Sequence, residues 1–298
     1  MELMVFDERI CRLGEGPTSR GKENSLVTWI DIHGHKVLWR DLITSELGSF
    51  ETPAEVGFCL PCDQNGYVVG HASGATIRNE AGHERSLFSN DIDQPKPVDE
   101  FTRWNDAKVA PNGDLFAGTM AFDGTRDGGS LYRISSAGEN IERIIPSVSI
   151  SNGLDWSSDG TRFYYIDTLS YKLVVFDFNN STLSNQRTLI EFDQNEGMPD
   201  GMCMDSEDGI WIAFWGGRGI RRYSSDGKLT EKISLPVQNV TSCAFAGLNL
   251  ETLIITTALD ADDSLNTSSS GMTFSLATGV RGKKTEVFST ERGASNEI

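Results

Sequence analysis

Four polar residues in this 298-residue chain could do chemistry together: Glu15, Asn105, Asn152 and Asp200. Two are carboxylates and two are amides, so each can offer an oxygen. No histidine stands beside any of them in the sequence. An all-oxygen donor set suits a hard cation. Two carboxylates facing each other in a partly dry space repel unless a cation lies between them. The chemistry implied is that of a divalent metal ion.

These residues sit in a recurring phrase. Asn105 lies in Arg103-Trp104-Asn105-Asp106-Ala107-Lys108, ahead of a short apolar run, the Asn112-Gly113 turn and the strand Leu115 to Met120. Asn152 lies in Ser151-Asn152-Gly153-Leu154-Asp155-Trp156, ahead of Asp159-Gly160. Asp200 lies in Pro199-Asp200-Gly201-Met202-Cys203-Met204, ahead of Asp208-Gly209. Asn-Gly and Asp-Gly are ordinary turn formers. Here a second, separate turn pair follows each one eight or nine residues later, so the first pair reads as a fixed position in a repeat.

The elements that must bring these residues together are strands. No twelve-residue segment has apolar residues at i, i+3, i+4 and i+7, whereas short runs bounded by Gly, Asn, Asp and Pro are frequent. Six residues line up at the start of successive strands: Glu15, Phe58, Asn105, Asn152, Asp200 and Thr241, at intervals of 43, 47, 47, 48 and 41. A second and a third strand follow in each unit, and a fourth in most. Four strands at a pitch of about 40 to 50 residues make a propeller blade. The expected fold is therefore all-β, a six-bladed β-propeller, with residues 1–298 as one domain and 290–298 as a frayed tail. Leu3 to Leu13 is expected to supply the outer strand of the final blade, whose own repeat runs to Val287-Phe288. The first strand of each blade lies nearest the axis, so residues of equal phase converge at one end of the channel.

Composition narrows the class. The formal net charge is −17, so nucleic acid is not an expected partner. No run approaches the roughly 20 apolar residues of a membrane span. The acidic N-terminus, Met1 to Glu8, lacks a signal-peptide core, and five sparse cysteines suit a reducing compartment, so a cytoplasmic location is expected. Cys59 and Cys62 form a CxxC, but strand positions three apart face opposite ways, which argues against shared chelation. Lys108 reads as a solvent-facing charge or a blade salt bridge. Trp29, Trp39, Trp156, Trp211 and Trp215 read as blade packing. His33, His35, His71 and His83 read as turn or loop residues.

Five ordered motifs, together with Thr241 to Phe245, carry a resemblance that spans nearly the whole chain. They are Leu13-Gly14-Glu15-Gly16-Pro17, Arg103 to Lys108, Phe116-Ala117-Gly118-Thr119-Met120, Ser151 to Trp156 and Pro199-Asp200-Gly201. Together they resemble the gluconolactonase / senescence marker protein (regucalcin) / luciferin-regenerating enzyme family. The resemblance implies a six-bladed propeller that hydrolyses sugar lactones with one divalent metal. It implies Glu15, Asn152 and Asp200 as metal ligands and Arg103 and Asn105 as substrate contacts. It implies Asp123, just after Gly118-Thr119-Met120, as an acidic substrate contact, although Phe122 departs from the usual pattern there. Asp106 matches a further polar position of undecided role.

The expected reaction is metal-assisted hydrolysis of an aldonolactone to an aldonic acid. The metal is expected to be Ca²⁺ or Zn²⁺, with Mg²⁺, Mn²⁺ or Fe²⁺ as alternatives. Asp200 is the candidate general base as well as a ligand. No Gly-x-Ser-x-Gly elbow supports a serine nucleophile. Two alternatives stand beside this reading: a metal-dependent phosphotriesterase and a non-catalytic calcium-binding propeller. The partner is expected to be a small sugar lactone, and the chain a monomer or weak homo-oligomer. The loops Ile92 to Phe101 and Phe122 to Gly128 are expected to rim the mouth.

Overall fold

The structure, a computed structural model, describes residues 2–63, 65–88, 97–138 and 140–290. Residues 92–96 of the first rim loop and 291–298 of the expected tail lie outside the described residues. Six four-stranded antiparallel sheets make six blades. Their innermost strands are Gly14–Arg20, Val56–Pro61, Thr102–Val109, Ser151–Trp156, Met198–Met204 and Asn239–Ala246. Each contacts the next in turn, and Asn239–Ala246 meets Gly14–Arg20, so the ring closes.

Hydrogen bonding between the two ends of the chain also closes the ring. The last blade takes three strands from the C-terminal part of the chain and its outer strand, Leu3–Asp7, from the N-terminus. Leu3–Asp7 pairs antiparallel with Thr273–Ala277. The strand is shorter than Leu3 to Leu13; Leu13 itself makes an isolated bridge to Ala258. Among the described residues no helix is long and apolar enough to cross a membrane.

The core lies between neighbouring blades, where alternating side chains of one sheet meet those of the next. Trp104 is fully buried, with Phe58 at 5.6 Å and Tyr132 at 6.1 Å, both edge-on. Trp29, Trp156 and Trp211 are likewise buried, while Trp39 and Trp215 are half-buried. Cys59 and Cys62 fall into different core clusters, as their spacing on a strand requires. All five cysteines are free and buried.

The C-terminal segment does something the repeat pattern does not show. Phe288 does not extend the sixth blade. It is fully buried among Phe58, Leu60 and Trp104 between blades two and three, and pairs in parallel with Cys62. On its way, Gly282 bridges Asp205 of blade five, and Lys283 reaches Asp155 of blade four at 2.9 Å. Thr290 is held by Asp63, its N–H donating to Oδ2 at 2.9 Å. The segment is a strap across the channel at the end remote from the phase-aligned residues.

Candidate functional site

Every innermost strand carries a β-bulge at the same phase. The pairing slips between Glu15 and Thr18, Val56 and Phe58, Trp104 and Ala107, Asn152 and Leu154, Pro199 and Met202, and Val240 and Ser242. A bulge sets two residues against one and turns the local backbone. Glu15, Asn105, Asn152 and Asp200 all lie in or beside a bulge, which re-aims their side chains. The glycines after Asn152 and Asp200 therefore serve the bulge and its close packing. A Cβ on Gly153 would come within 2.7 Å of Asp200 O, and one on Gly201 within 2.2 Å of Ser242 Oγ. Only glycine lets adjacent inner strands approach this closely.

The four predicted residues, with Arg103, are all buried. Glu15, Asp106 and Asp200 lie within electrostatic reach of one another. Burial, then the Asp200 and Asp106 charges, push the Glu15 carboxyl well above the usual range. Burial and the Asp106 charge do the same to Asp200; the nearby Asn152 amide and the Gly201 N–H only partly offset them. Asp106 is raised to about 6 by burial, with Lys108 opposing. Its Oδ1 accepts from Ala107 N at 2.7 Å.

Hydrogen bonding separates the two asparagines. Asn152 Nδ2 donates to Thr168 Oγ1 at 3.0 Å, and that hydroxyl donates to Pro199 O at 2.9 Å. The amide is thereby oriented with Oδ1 on the free side. Asn152 Oδ1 and Asp200 Oδ1 are buried and have no hydrogen-bond partner. Asn105 is used at both ends: Nδ2 donates to Ser151 O at 2.8 Å, and Oδ1 accepts from Arg103 Nη1 at 2.8 Å. An unpaired buried oxygen costs free energy, so the wholly unpaired Asn152 oxygen has more to gain from a cation than the Asn105 oxygen, one lone pair of which Arg103 already engages.

The residues present fit a hard divalent cation. Two carboxylates, each raised by burial and by neighbouring acidic charge, stand with the unpaired Asn152 oxygen at the channel end, one Asp200 oxygen also being unpaired, and no thiol or imidazole is among the donors. Among the described residues no three His, Cys, Asp or Glu side chains are grouped to hold a metal. The donor set here is two carboxylates and an amide, so the Asn152 oxygen is essential to it.

Asp123, unlike these buried residues, is at the surface. It is exposed in the turn after Leu115–Ala121, and its Oδ1 accepts from Thr125 N at 2.9 Å. Behind the cluster, a channel cavity of about 230 Å³ is lined by Phe58, Asp106, Lys108, Trp156, Met202 and Phe245, among others, and is floored by Lys283 to Glu286. Of the two expectations for Lys108, the salt bridge between blades is the one found, with the side chain half-buried. Its Nζ donates to Asp155 Oδ2 at 2.9 Å in the next blade and to Met202 O at 3.1 Å in the one beyond.

Sequence reading missed Thr168, which orients Asn152, and Glu55 with His33, which reach Arg103. Glu55 sits only three residues before the aligned Phe58, at the entrance to an inner strand. That position is the one signal that could have found it.

The raised carboxyls give a testable linkage. A carboxyl whose folded pKa is raised holds its proton in the folded state where the unfolded chain has lost it, so the metal-free protein loses stability as pH rises above about 4. Metal displaces those protons and removes the penalty. Saturating Ca²⁺ is expected to raise Tm by about 5 °C or more at pH 8, and by clearly less at pH 5, in calorimetric scans. Equal shifts at both pH values would contradict the shared site.

Comparison with known proteins bears on the family and the fold. The model of the SMP-30/Gluconolactonase/LRE-like region matches residues 13–259. Regucalcin of Danio rerio is 37% identical over 279 residues, covering 91% of this chain and 92% of that protein. The solved structure of a calcium-binding protein, regucalcin, from Agrobacterium tumefaciens superposes with a TM-score of 0.87 at 26% identity, covering 96% of this chain and 97% of that one. A luciferin-regenerating enzyme superposes with a TM-score of 0.87 at 27% identity, covering 97% and 99%. By sequence and by fold alike, the chain belongs to the SMP-30/gluconolactonase/LRE-like family.

Proposed function

We propose that this protein hydrolyses a sugar lactone, an aldonolactone to its aldonic acid, with one divalent cation held by Glu15, Asn152 and Asp200. The observation that carries the reading is the convergence of these three side chains at aligned bulges, with the inward Asn152 and Asp200 oxygens unpaired. The all-oxygen donor set favours Ca²⁺, with Mg²⁺ and Mn²⁺ ahead of Zn²⁺ and Fe²⁺.

When bound, the cation supplies Lewis-acid polarisation of an ester carbonyl and favours charge on its oxygen. The chain's residues supply the rest. Asp200 takes a proton from the water that attacks the carbonyl carbon, and returns it to the ring oxygen released when the lactone C–O bond breaks. Arg103 donates to sugar hydroxyls, held in place by Asn105 and by its own bond to Trp104 O at 2.9 Å. Asp123 accepts from a further hydroxyl at the rim. Asp106, facing both the cluster and the cavity, keeps the channel end anionic.

Lactone turnover that vanishes with chelator and returns with Ca²⁺ is the deciding assay. A second reading, a calcium-binding propeller without catalysis, draws on the likeness to the Agrobacterium calcium-binding protein. Cation binding without turnover of any aldonolactone would favour it. A parallel assay with a phosphotriester tests the remaining hydrolase alternative.

Arg103→Ala is expected to raise KM for aldonolactones about tenfold, the scale of one charge-assisted hydrogen bond, while changing cation affinity less. Steady-state kinetics over several lactones and calcium titration check this. An unchanged KM would remove Arg103 from the substrate site.

A further inference from the structure

A polar chain runs around the mouth through four blades. His33 Nδ1 lies 2.8 Å from Glu55 Oε1. Glu55 Oε2, itself buried and without a hydrogen bond, lies 3.5 Å from Arg103 Nε. Arg103 Nη1 donates to Asn105 Oδ1, and Asn105 Nδ2 to Ser151 O, both at 2.8 Å. His33 and Glu55 precede or leave strands of blades one and two, Arg103 and Asn105 belong to blade three, and Ser151 opens blade four.

We propose that Glu55 is the positioning and specificity residue of this mouth, resting on the lactonase reading above. Burial works against the Arg103 charge, and the carboxylates that sustain it are Glu55 first and Glu15 second. A cation shared among Glu15, Asn152 and Asp200 would engage the Glu15 charge. Glu55 is then the counter-charge left to the buried guanidinium, and His33 holds its carboxylate in register. Glu55 therefore does two things. It keeps Arg103 from turning toward Glu15, where it would compete with the cation. It also makes Arg103 a charge-compensated donor.

Such a donor suits the hydroxyls of an uncharged polyhydroxy lactone. It gives no premium to a lactone that carries a carboxylate, since the guanidinium's charge is already matched. Among the described residues Arg103 Nη2 has no hydrogen-bond partner, which leaves it as the edge to meet a substrate oxygen. The substrate class is thus the neutral aldonolactones, ahead of the monolactones of aldaric acids.

The test is Glu55→Gln, with Glu55→Asp beside it to keep the charge. Each is assayed on a neutral aldonolactone and on an aldaric monolactone, in wild-type and Arg103→Met backgrounds, with Ca²⁺ affinity measured by calorimetry. In Glu55→Gln, KM for the neutral lactone should rise about tenfold and kcat change less than about threefold, the scale of one charge-assisted hydrogen bond. The neutral-to-anionic ratio of kcat/KM should fall about tenfold, and Ca²⁺ should bind several-fold more weakly. Glu55→Asp should retain most of the wild-type ratio. In the Arg103→Met background the Glu55 substitution should change neither quantity further. A KM rise of the same size without Arg103, or an unchanged ratio in Glu55→Gln, overturns the proposal while leaving lactone hydrolysis intact. A wild type that turns over no lactone defeats the lactonase reading instead, and the Ca²⁺ titrations then decide whether Glu55 restrains Arg103.

Discussion

Asp200→Asn is expected to lower kcat about 10²-fold or more even at saturating divalent cation, the usual scale for a lost general base. The substitution keeps the shape of the side chain and one oxygen ligand. It removes the charge and the proton-accepting group. Asn152→Ala is the comparison, because it removes a neutral ligand and no base. Excess cation should therefore restore Asn152→Ala better than Asp200→Asn. The measurement is kcat against cation concentration for both variants and wild type. Full rescue of Asp200→Asn would leave Asp200 a ligand only. Wild-type activity in Asp200→Asn without added cation would refute the site.

Asp155→Asn should cost the fold about 3 kcal/mol, because it leaves two half-buried ammonium groups against an uncharged amide at a buried position. Asp155 is buried and receives Lys108 Nζ, Lys283 Nζ and Met204 N, each at 2.9 Å. Burial alone would raise its carboxyl; Lys108 and Lys283 overcome that and hold it well below the usual range. Its contribution is therefore fully present above the ordinary aspartate pKa of about 3.9 and is lost as pH falls through the depressed value. At pH 7 the variant should melt about 6 °C or more below wild type. Lys228→Ala, which breaks the exposed pair with Asp226, should leave Tm unchanged. An Asp155→Asn protein as stable as wild type would show that the ion pairs contribute nothing to holding strap and blades together.

Blade count, strand order within each unit and the phase of Glu15, Asn105, Asn152 and Asp200 were legible in the sequence. They follow from local chemistry repeated at a near-constant interval, and a repeat repeats its signals. Closure by Leu3–Asp7 was legible for the same reason, as a strand without a blade of its own. The bulges were not. Asn152-Gly153 and Asp200-Gly201 look like turns in isolation, and only the neighbouring inner strand, pressing on Gly153 and Gly201, gives those glycines their purpose.

Nor could sequence divide the labour between the two asparagines. Both are amides at equal phase, yet Arg103 and Ser151 occupy both ends of Asn105, while Thr168 turns Asn152 so that its oxygen stays free. Glu55 with His33, and Phe288 between blades two and three, share no repeat phase; Lys108 and Asp155, each three residues past an aligned asparagine, do share one, but it shows neither their pairing nor Lys283 of the strap. Each joins residues from different blades or from the strap, at sequence separations of 22 to 128 for the polar pairs. Periodicity reports what a segment does relative to its own blade. These contacts depend on how blades and strap lie against one another, so only the tertiary structure decides them.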